Sequence, residues 1–144
     1  MMSVAVLFLL MLLAHIVEDF HLQGKMADMK QKSWWHDRIV DSCKWFSEEE
    51  RAEGFRRRMR AYGRDHIPVL ILHGFEWAIC VSIPVFFYTG FEPSAAYMIA
   101  MVAMALLHSL VDHMKCNMRM INLIHDQAIH VIQVVALWAV ALMV

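Results

Sequence analysis

The chain has 144 residues, enough for one domain, and 60% of them are hydrophobic while only 19% are charged. Soluble domains are on average about 45–50% apolar and about 25% charged, so this composition disfavours a soluble protein. A soluble bundle of very apolar helices is the alternative, but such helices usually carry a polar face. The net charge of −1 excludes a strongly basic protein of the kind that binds nucleic acid through its overall charge.

The hydrophobic residues are concentrated in four blocks, at positions 4–23, 68–90, 94–114 and 120–143. About 20 helical residues cross a hydrocarbon core roughly 30 Å thick. The sequence therefore predicts an all-α fold, a four-transmembrane-helix bundle, formed by one membrane domain over residues 1–144. The first block lacks the basic start and the small-residue cleavage site of a signal peptide, so we expect it to remain as the first span.

The basic residues predict the orientation of this bundle. Of the 13 Lys and Arg residues, 11 lie between Lys25 and Arg64, and the other two, Lys115 and Arg119, flank the third connection. Basic residues favour the cytoplasmic side of a membrane. All 13 fall on that side if residues 24–66 form a cytoplasmic helical insertion between the first two spans. We therefore expect a multi-pass protein of a bacterial-type inner (plasma) membrane, with the lipid bilayer as its partner.

The insertion contains a recognisable helix start and a basic run. Ser47-Glu-Glu-Glu50 has the pattern of a capping box, and Gly63 suits the end of the helix that it opens. Three tryptophans beside the basic run suit a hairpin at the level of the lipid headgroups. The residues assigned to headgroup contact are Arg56, Arg57, Arg58 and Arg60. A solvated hairpin whose tryptophans pack together is the alternative, and the run is too short and mixed to favour nucleic acid.

Histidine and aspartate recur inside the apolar blocks at a spacing of four residues, which puts both members of a pair on one helix face. Ionisable groups at membrane depth are costly and mark functional sites. In the predicted topology most of them lie within about 5–15 Å of the cytoplasmic boundary. Helical bundles build metal sites from such pairs on facing helices. The predicted metal ligands are His15, Asp19, His73, His108, Asp112, Asp126 and His130.

Imidazole and carboxylate ligands together suit Zn²⁺ first and Mn²⁺ or Fe²⁺ next, whereas Ca²⁺ prefers oxygen ligands alone. Seven ligands exceed the needs of one catalytic zinc ion, so we expect one or two ions, and two ions bridged by a carboxylate would use all seven. Catalytic roles are assigned to Asp19, Asp112 and Asp126, and supporting roles around the ligands to Gln23, Glu76 and Gln127. Glu18 and His125 are adjacent polar groups that suit the same supporting role or proton transfer. A proton- or ion-conducting cluster and a structural network of interhelical salt bridges are the alternatives.

These motifs also resemble a known family. They are Ala14-His-x-x-x-Asp19-Phe20-x-Leu22-Gln23 followed by Lys30, the histidine of Leu70-Ile-Leu-His73, the His108-x-x-x-Asp112 pair, and Asp126-Gln127-x-x-His130. The chain resembles the small phage and bacterial integral-membrane proteins of domain-of-unknown-function family 3307. The resemblance covers all four predicted spans and leaves residues 33–66 as an insertion relative to the family. The pattern is also similar to that of membrane-bound metal-dependent hydrolases.

The patterns and the second resemblance lead to two functional hypotheses. The first is a metal-dependent hydrolase of a membrane-resident substrate, such as a phospholipid or another phosphorylated lipid. A bound ion would lower the pKa of water and polarise a phosphoryl or acyl oxygen, and the Arg-rich run would attract anionic headgroups. The second is a non-enzymatic small membrane protein, with a structural metal site, ion or proton conduction, or a role in the phage–host envelope. Oligomers are compatible with both hypotheses.

Overall fold

The computed structural model describes residues 2–143, and every regular element within that range is a helix. The first helix continues directly into a π-helical turn, and three shorter helices separate it from the remaining long ones. The elements are α1 (Val4–Val17), the π turn (Glu18–Leu22), α2 (Met26–Met29), α3 (Lys32–Cys43), α4 (Glu48–Tyr62), α5 (His66–Tyr88), α6 (Ala95–Cys116) and α7 (Leu123–Ala141). The all-α prediction is confirmed.

Short polar side chains begin several of these helices. The hydroxyls of Ser3 and Ser94 and the amide oxygen of Asn122 accept hydrogen bonds from backbone N–H groups in the first turns of α1, α6 and α7. The predicted capping box of α4 is confirmed, because Ser47 accepts from the Glu50 backbone while the Glu50 carboxylate accepts from the Ser47 N–H and O–H groups. These hydrogen bonds lower the pKa of the Glu50 carboxyl group.

Within the described residues 2–143, four segments are long and apolar enough to cross a membrane: Val4–Leu22, the stretch Glu48–Tyr88 that contains α5, and the helices α6 and α7. They form a ring in which α1 and α6 each contact both α5 and α7. Trp77 and Tyr97 are among the fully buried side chains of the interior. Large apolar side chains such as Leu9, Ile99 and Ile132 point outward. An apolar exterior around an apolar interior is typical of helices that are surrounded by lipid.

The helices α5 and α6 approach each other closely at Gly74. A Cβ atom placed on Gly74 would overlap the Ser109 side chain and the backbone carbonyl of Ala105. Ala78, one turn further along α5, is fully buried as well. Small residues at a four-residue spacing let two membrane helices approach at backbone distance. This approach matters for the site, because the neighbouring histidines of α5 and α6 project from the same contact.

The predicted insertion folds into α2, α3 and α4, and its start is attached to the end of α6. The Asn117 side chain, just beyond α6, accepts a hydrogen bond from the Lys32 backbone N–H at 2.6 Å and donates one to the Lys30 carbonyl at 3.0 Å. Trp34 and Trp35 pack edge to face with ring centroids 5.0 Å apart. Trp45, in contrast, is 86% exposed. The hydrogen bonds of Asn117 hold the short α2 against the end of the bundle.

Candidate metal centre

One end of the bundle contains a polar cluster built from all four long helical segments. It lies where the C-terminal parts of α1 and α6 meet the N-terminal parts of α5 and α7. None of its side chains is more than 4% exposed. Its members are His15, Glu18, Asp19, His73, His108, Asp112, Asp126 and His130. The structure thus brings all seven predicted ligands together and adds Glu18.

The π turn explains how Glu18 and Asp19 both enter the cluster. Adjacent side chains of an α-helix diverge by about 100°, so two neighbours rarely face the same interior. A π turn contains one extra residue and is frequent at functional sites. The turn begins at Glu18, and the side chains of Glu18 and Asp19 are 0% and 4% exposed. The α-helical repeat used for the sequence prediction could not reveal this change in register.

His73 and His108 face each other across the α5–α6 contact. Their Nε2 atoms are 3.2 Å apart, and Oδ1 of Asp19 lies 3.8 Å from each of them. Two nitrogens that bind one zinc ion tetrahedrally at about 2.0–2.1 Å are about 3.3 Å apart. This distance is that of a hydrogen bond between the two rings, and it is also the separation of two ligands of one metal ion. Asp19, His73 and His108 form a group that could hold a metal ion.

His130 is oriented by a residue that the sequence analysis did not single out. Its Nδ1 atom lies 3.0 Å from Oε1 of Gln133, and since an amide oxygen only accepts, Nδ1 must carry the proton. In the neutral ring this leaves the Nε2 lone pair directed at the cluster, 3.4 Å from Asp112 Oδ1 and 3.3 Å from Asp126 Oδ1. His108, Asp112 and His130 form a second group with metal-ligand spacing.

Two lysines also reach the cluster, and sequence reasoning did not assign them to it. Lys30 of the insertion donates to Asp112 Oδ2, and Lys115 of α6 donates to Asp126 Oδ2, both at 2.5 Å. Each carboxylate therefore has one oxygen bound to an ammonium group and the other facing His130. The spacing of three residues between Asp112 and Lys115 was a signal in the sequence that could have identified the second lysine.

The carboxylates of the cluster outnumber its ammonium groups, and several of the carboxylate oxygens accept no hydrogen bond. Oδ1 of Asp112, Oδ1 of Asp126 and both oxygens of Glu18 are buried without a hydrogen-bond partner. Such groups are costly in a low-dielectric interior. With neutral imidazoles, four buried carboxylates and two ammonium groups leave a net charge of −2. One divalent cation, or two protons on the histidines, would cancel it.

His15 differs from the other predicted ligands in its hydrogen bonding. Its Nδ1 atom accepts a hydrogen bond from the indole Nε1–H of Trp77 at 3.0 Å. A neutral imidazole that accepts at Nδ1 carries its proton on Nε2, so this ring has no lone pair left for a metal ion. His15 lies 3.7 Å from Asp19 Oδ2. In this arrangement it is a neighbour of the ligand Asp19 instead of a ligand.

The predicted supporting residues lie around the cluster. Gln23 donates to Asp19 Oδ1 at 3.1 Å, and Gln127 donates to Asp19 Oδ2 at 2.9 Å and to Asp126 Oδ2 at 3.1 Å. Both glutamines are half-buried and lie between α1 and α7. Glu76 is also half-buried and forms a third group of potential ligands with Glu18 and His73.

The arginines assigned to headgroup contact lie away from the cluster. Among residues 2–143, no ion pair joins a cluster carboxylate to Arg56, Arg57, Arg58 or Arg60. Arg58 instead donates to the backbone and hydroxyl oxygens of Ser42 in α3. A cavity of about 630 Å³ lies beside this hairpin, lined in part by Trp34, Trp35 and Arg38, and no cluster residue lines it. The cluster is enclosed by the surrounding helices.

Comparisons with protein-family models, with curated proteins and with solved structures gave no match to this chain. The chemistry of the site therefore rests on its donor atoms. Imidazole nitrogens and carboxylate oxygens in groups of three suit divalent transition metals. The buried His, Asp and Glu groups could hold such an ion.

Proposed function

We propose that this is a multi-pass integral membrane protein of an inner (plasma) membrane, with the insertion on the cytoplasmic side. Its four long apolar helices and their outward-facing leucine and isoleucine side chains support this proposal. The distribution of Lys and Arg supports the orientation. Reporter fusions test it: a reporter active only in the cytoplasm should be active after α4 and inactive after α5. The reverse pattern would refute the orientation.

We propose that the polar cluster binds a divalent metal ion, Zn²⁺ in the first place and Mn²⁺ or Fe²⁺ as alternatives. The observation that carries the proposal is the set of buried carboxylate oxygens without hydrogen-bond partners. His73, His108 and Asp19 are the best-placed ligands for the first ion, and Asp112 and His130 are the next.

Elemental analysis of the detergent-purified protein tests the metal centre directly. The wild type should retain at least one ion per chain through dialysis, and His108→Ala should lose it. His125→Ala is a matched control, because His125 is exposed at the start of α7 and outside the cluster. Circular dichroism would show whether each variant is folded. A folded wild type that retains no ion after incubation with Zn²⁺, Mn²⁺ or Fe²⁺ would contradict the proposal.

The activity that we propose for this centre is hydrolysis of a membrane-resident phospholipid or related phosphorylated lipid. A divalent ion supplies Lewis-acid activation of water and of a phosphoryl oxygen. Asp19 is the best-placed proton acceptor, because its glutamine partners are half-buried at the α1–α7 contact, where a lipid could approach from the side. Asp112 and Asp126 each accept a hydrogen bond from a lysine, so they are better suited to binding and orienting the ion than to accepting a proton.

Release of glycerol, glycerol phosphate or fatty acid from phosphatidylglycerol in mixed micelles tests this activity. Turnover per bound ion should fall in Asp19→Asn by a factor of about 10²–10⁴, the usual contribution of a general base, and the metal content is measured in the same sample because Asp19 is also a proposed ligand. Turnover that persists after complete metal removal would exclude the proposed chemistry. Wild-type protein that is loaded with metal and inactive on phospholipids would leave a non-enzymatic metal site.

Ion or proton conduction is the second candidate, and the enclosure of the site favours it. Ionisable groups are in near contact from Glu18 through His73 and Asp112 to His130 and Asp126. Chains of such groups conduct protons in membrane proteins. Liposomes containing the protein and a pH-sensitive dye should then show proton flux that His130→Ala abolishes. Flux equal to that of empty liposomes would exclude conduction.

A further inference from the structure

We propose that Glu18, Glu76 and Nδ1 of His73 form a second divalent-metal site, joined to the first through the imidazole ring of His73. The proposal rests on the metal centre proposed above and adds two ligands that the predicted ligand set did not include. It also replaces the carboxylate bridge expected from the sequence with a histidine bridge. The three residues are grouped within metal-ligand reach of one another, on the side of the cluster where α1 contacts α5.

Glu18 supplies the strongest observation. Its side chain is fully buried, and neither carboxylate oxygen has a hydrogen-bond partner. His73 Nδ1 lies 3.2 Å from Glu18 Oε1 and is likewise without a hydrogen bond of acceptable geometry. A buried carboxylate with both oxygens free is costly unless a cation binds it. The separation of 3.2 Å is also close to that of two ligands of one zinc ion.

The ordinary alternative is that Glu18 only orients His73. A carboxylate that accepts a proton-bearing nitrogen commonly fixes a metal-binding histidine. That role would use one oxygen of Glu18 and would give no role to Glu76, whose carboxylate lies within ligand distance of both residues. A second cation engages all three groups.

The two nitrogens of His73 face different partners. Nε2 faces His108 at 3.2 Å, and Nδ1 faces Glu18. A ring that binds an ion at each nitrogen releases its remaining N–H proton to solvent and becomes an imidazolate. Two ions bound to one ring in this way lie about 6 Å apart, given bonds of about 2.0–2.1 Å to each nitrogen.

The charges of the enlarged cluster agree with two ions. The four carboxylates of the cluster, the carboxylate of Glu76 and one imidazolate together carry six negative charges. Lys30 and Lys115 contribute two positive charges. The remaining net charge of −4 equals the charge of two divalent cations. Glu76 is half-buried, so the second site lies nearer the surface of the bundle than the first.

Metal stoichiometry tests the proposal with a conservative substitution. Wild type loaded with Zn²⁺ in detergent should hold two ions per chain, and Glu76→Gln should hold one. Glu92→Gln is the matched control, because Glu92 is exposed in the connection between α5 and α6 and should leave two ions in place. His73→Ala should lose the bridge and lower the affinity at both sites.

Copper spectroscopy distinguishes a bridged pair from two separate ions. With Cu²⁺ at both sites, exchange through the imidazolate should couple the two unpaired electrons and suppress the ordinary Cu²⁺ resonance signal. Glu76→Gln should restore the signal of one isolated ion. Two ions with independent signals would overturn the bridge, and so would a single ion whose affinity falls in Glu18→Gln while Glu76→Gln has no effect. Wild type with no ion at all would refute the metal centre itself.

Discussion

Gly74→Ala is the substitution whose effect the structure predicts most directly. The added Cβ would overlap the hydroxyl of Ser109 and the backbone carbonyl of Ala105 on the facing helix. The serine side chain can rotate, but the carbonyl belongs to α6 and cannot move without the helix. The two helices must therefore separate by roughly 1 Å to restore normal contact distances.

The expected cost follows from this overlap. Overpacking a close-packed interior costs about 1–3 kcal/mol, and alanine in place of glycine gains about 1 kcal/mol in a helix. Because the overlap includes backbone atoms, we expect a cost at the upper end of this range and a net loss of about 1–2 kcal/mol. Gly54→Ala in α4 is the matched control, because its Cβ would meet only Cys43 Sγ at an ordinary 3.8 Å. That variant should gain about 0.5–1 kcal/mol.

Unfolding in mixed micelles with increasing SDS, followed by circular dichroism, would measure both changes. The double variant Gly74→Ala/Ser109→Ala should remain destabilised, because removing the hydroxyl leaves the Ala105 carbonyl in place. Gly74→Ala should also weaken metal binding, since His73 and His108 would move apart. A Gly74→Ala protein as stable as wild type would show that α5 and α6 do not approach as closely as the structure has them.

Three further predictions concern single contacts. Gln133→Leu removes the acceptor that orients His130, so metal affinity measured by competition with a chelating dye should fall about 10–100-fold; unchanged affinity would exclude this role. Trp77→Phe leaves the buried His15 Nδ1 without a donor and should lower stability by about 1–3 kcal/mol in SDS unfolding, whereas a neutral result would contradict the assigned hydrogen bond. The pKa of Glu50 is lowered in the fold. Its contribution to the stability of α4 is therefore present above its ordinary pKa and is lost as the pH falls through the lowered value. A Glu50→Ala variant whose helical signal responds to acid in the same way as that of the wild type would refute this.

The helices were predictable because hydrophobicity alone defines them, whereas their ends depend on local chemistry. The predicted block 120–143 corresponds to α7, which begins later, at Leu123. Asn122 caps this start, and Arg119 just before it has a positive φ of 55° that turns the chain. The predicted block 68–90 corresponds to α5, which begins at His66. Such differences of two or three residues are set by caps and turns, which hydropathy does not detect.

The ligands were predictable where the site follows the α-helical repeat, and Glu18, which was expected only beside the ligands, enters the site where the repeat is broken. The pairs His108/Asp112 and Asp126/His130 lie on one helix face, so their spacing identified them. Glu18 enters through the π turn, a local change of register that a repeat of 3.6 residues cannot indicate.

Lys30 shows that the insertion takes part in the site. Its ammonium group donates to Asp112 Oδ2, while the other oxygen of the same carboxylate faces His130. Asp112 Oδ2 is also 3.3 Å from His73 Nε2. A cation that binds His73 and this oxygen must therefore share or displace the lysine. Since the Lys30 backbone is held by Asn117 at the end of α6, any such displacement acts on the segment that connects the bundle to α3 and α4. The charge of the buried cluster and the position of the basic insertion are thus coupled through Lys30.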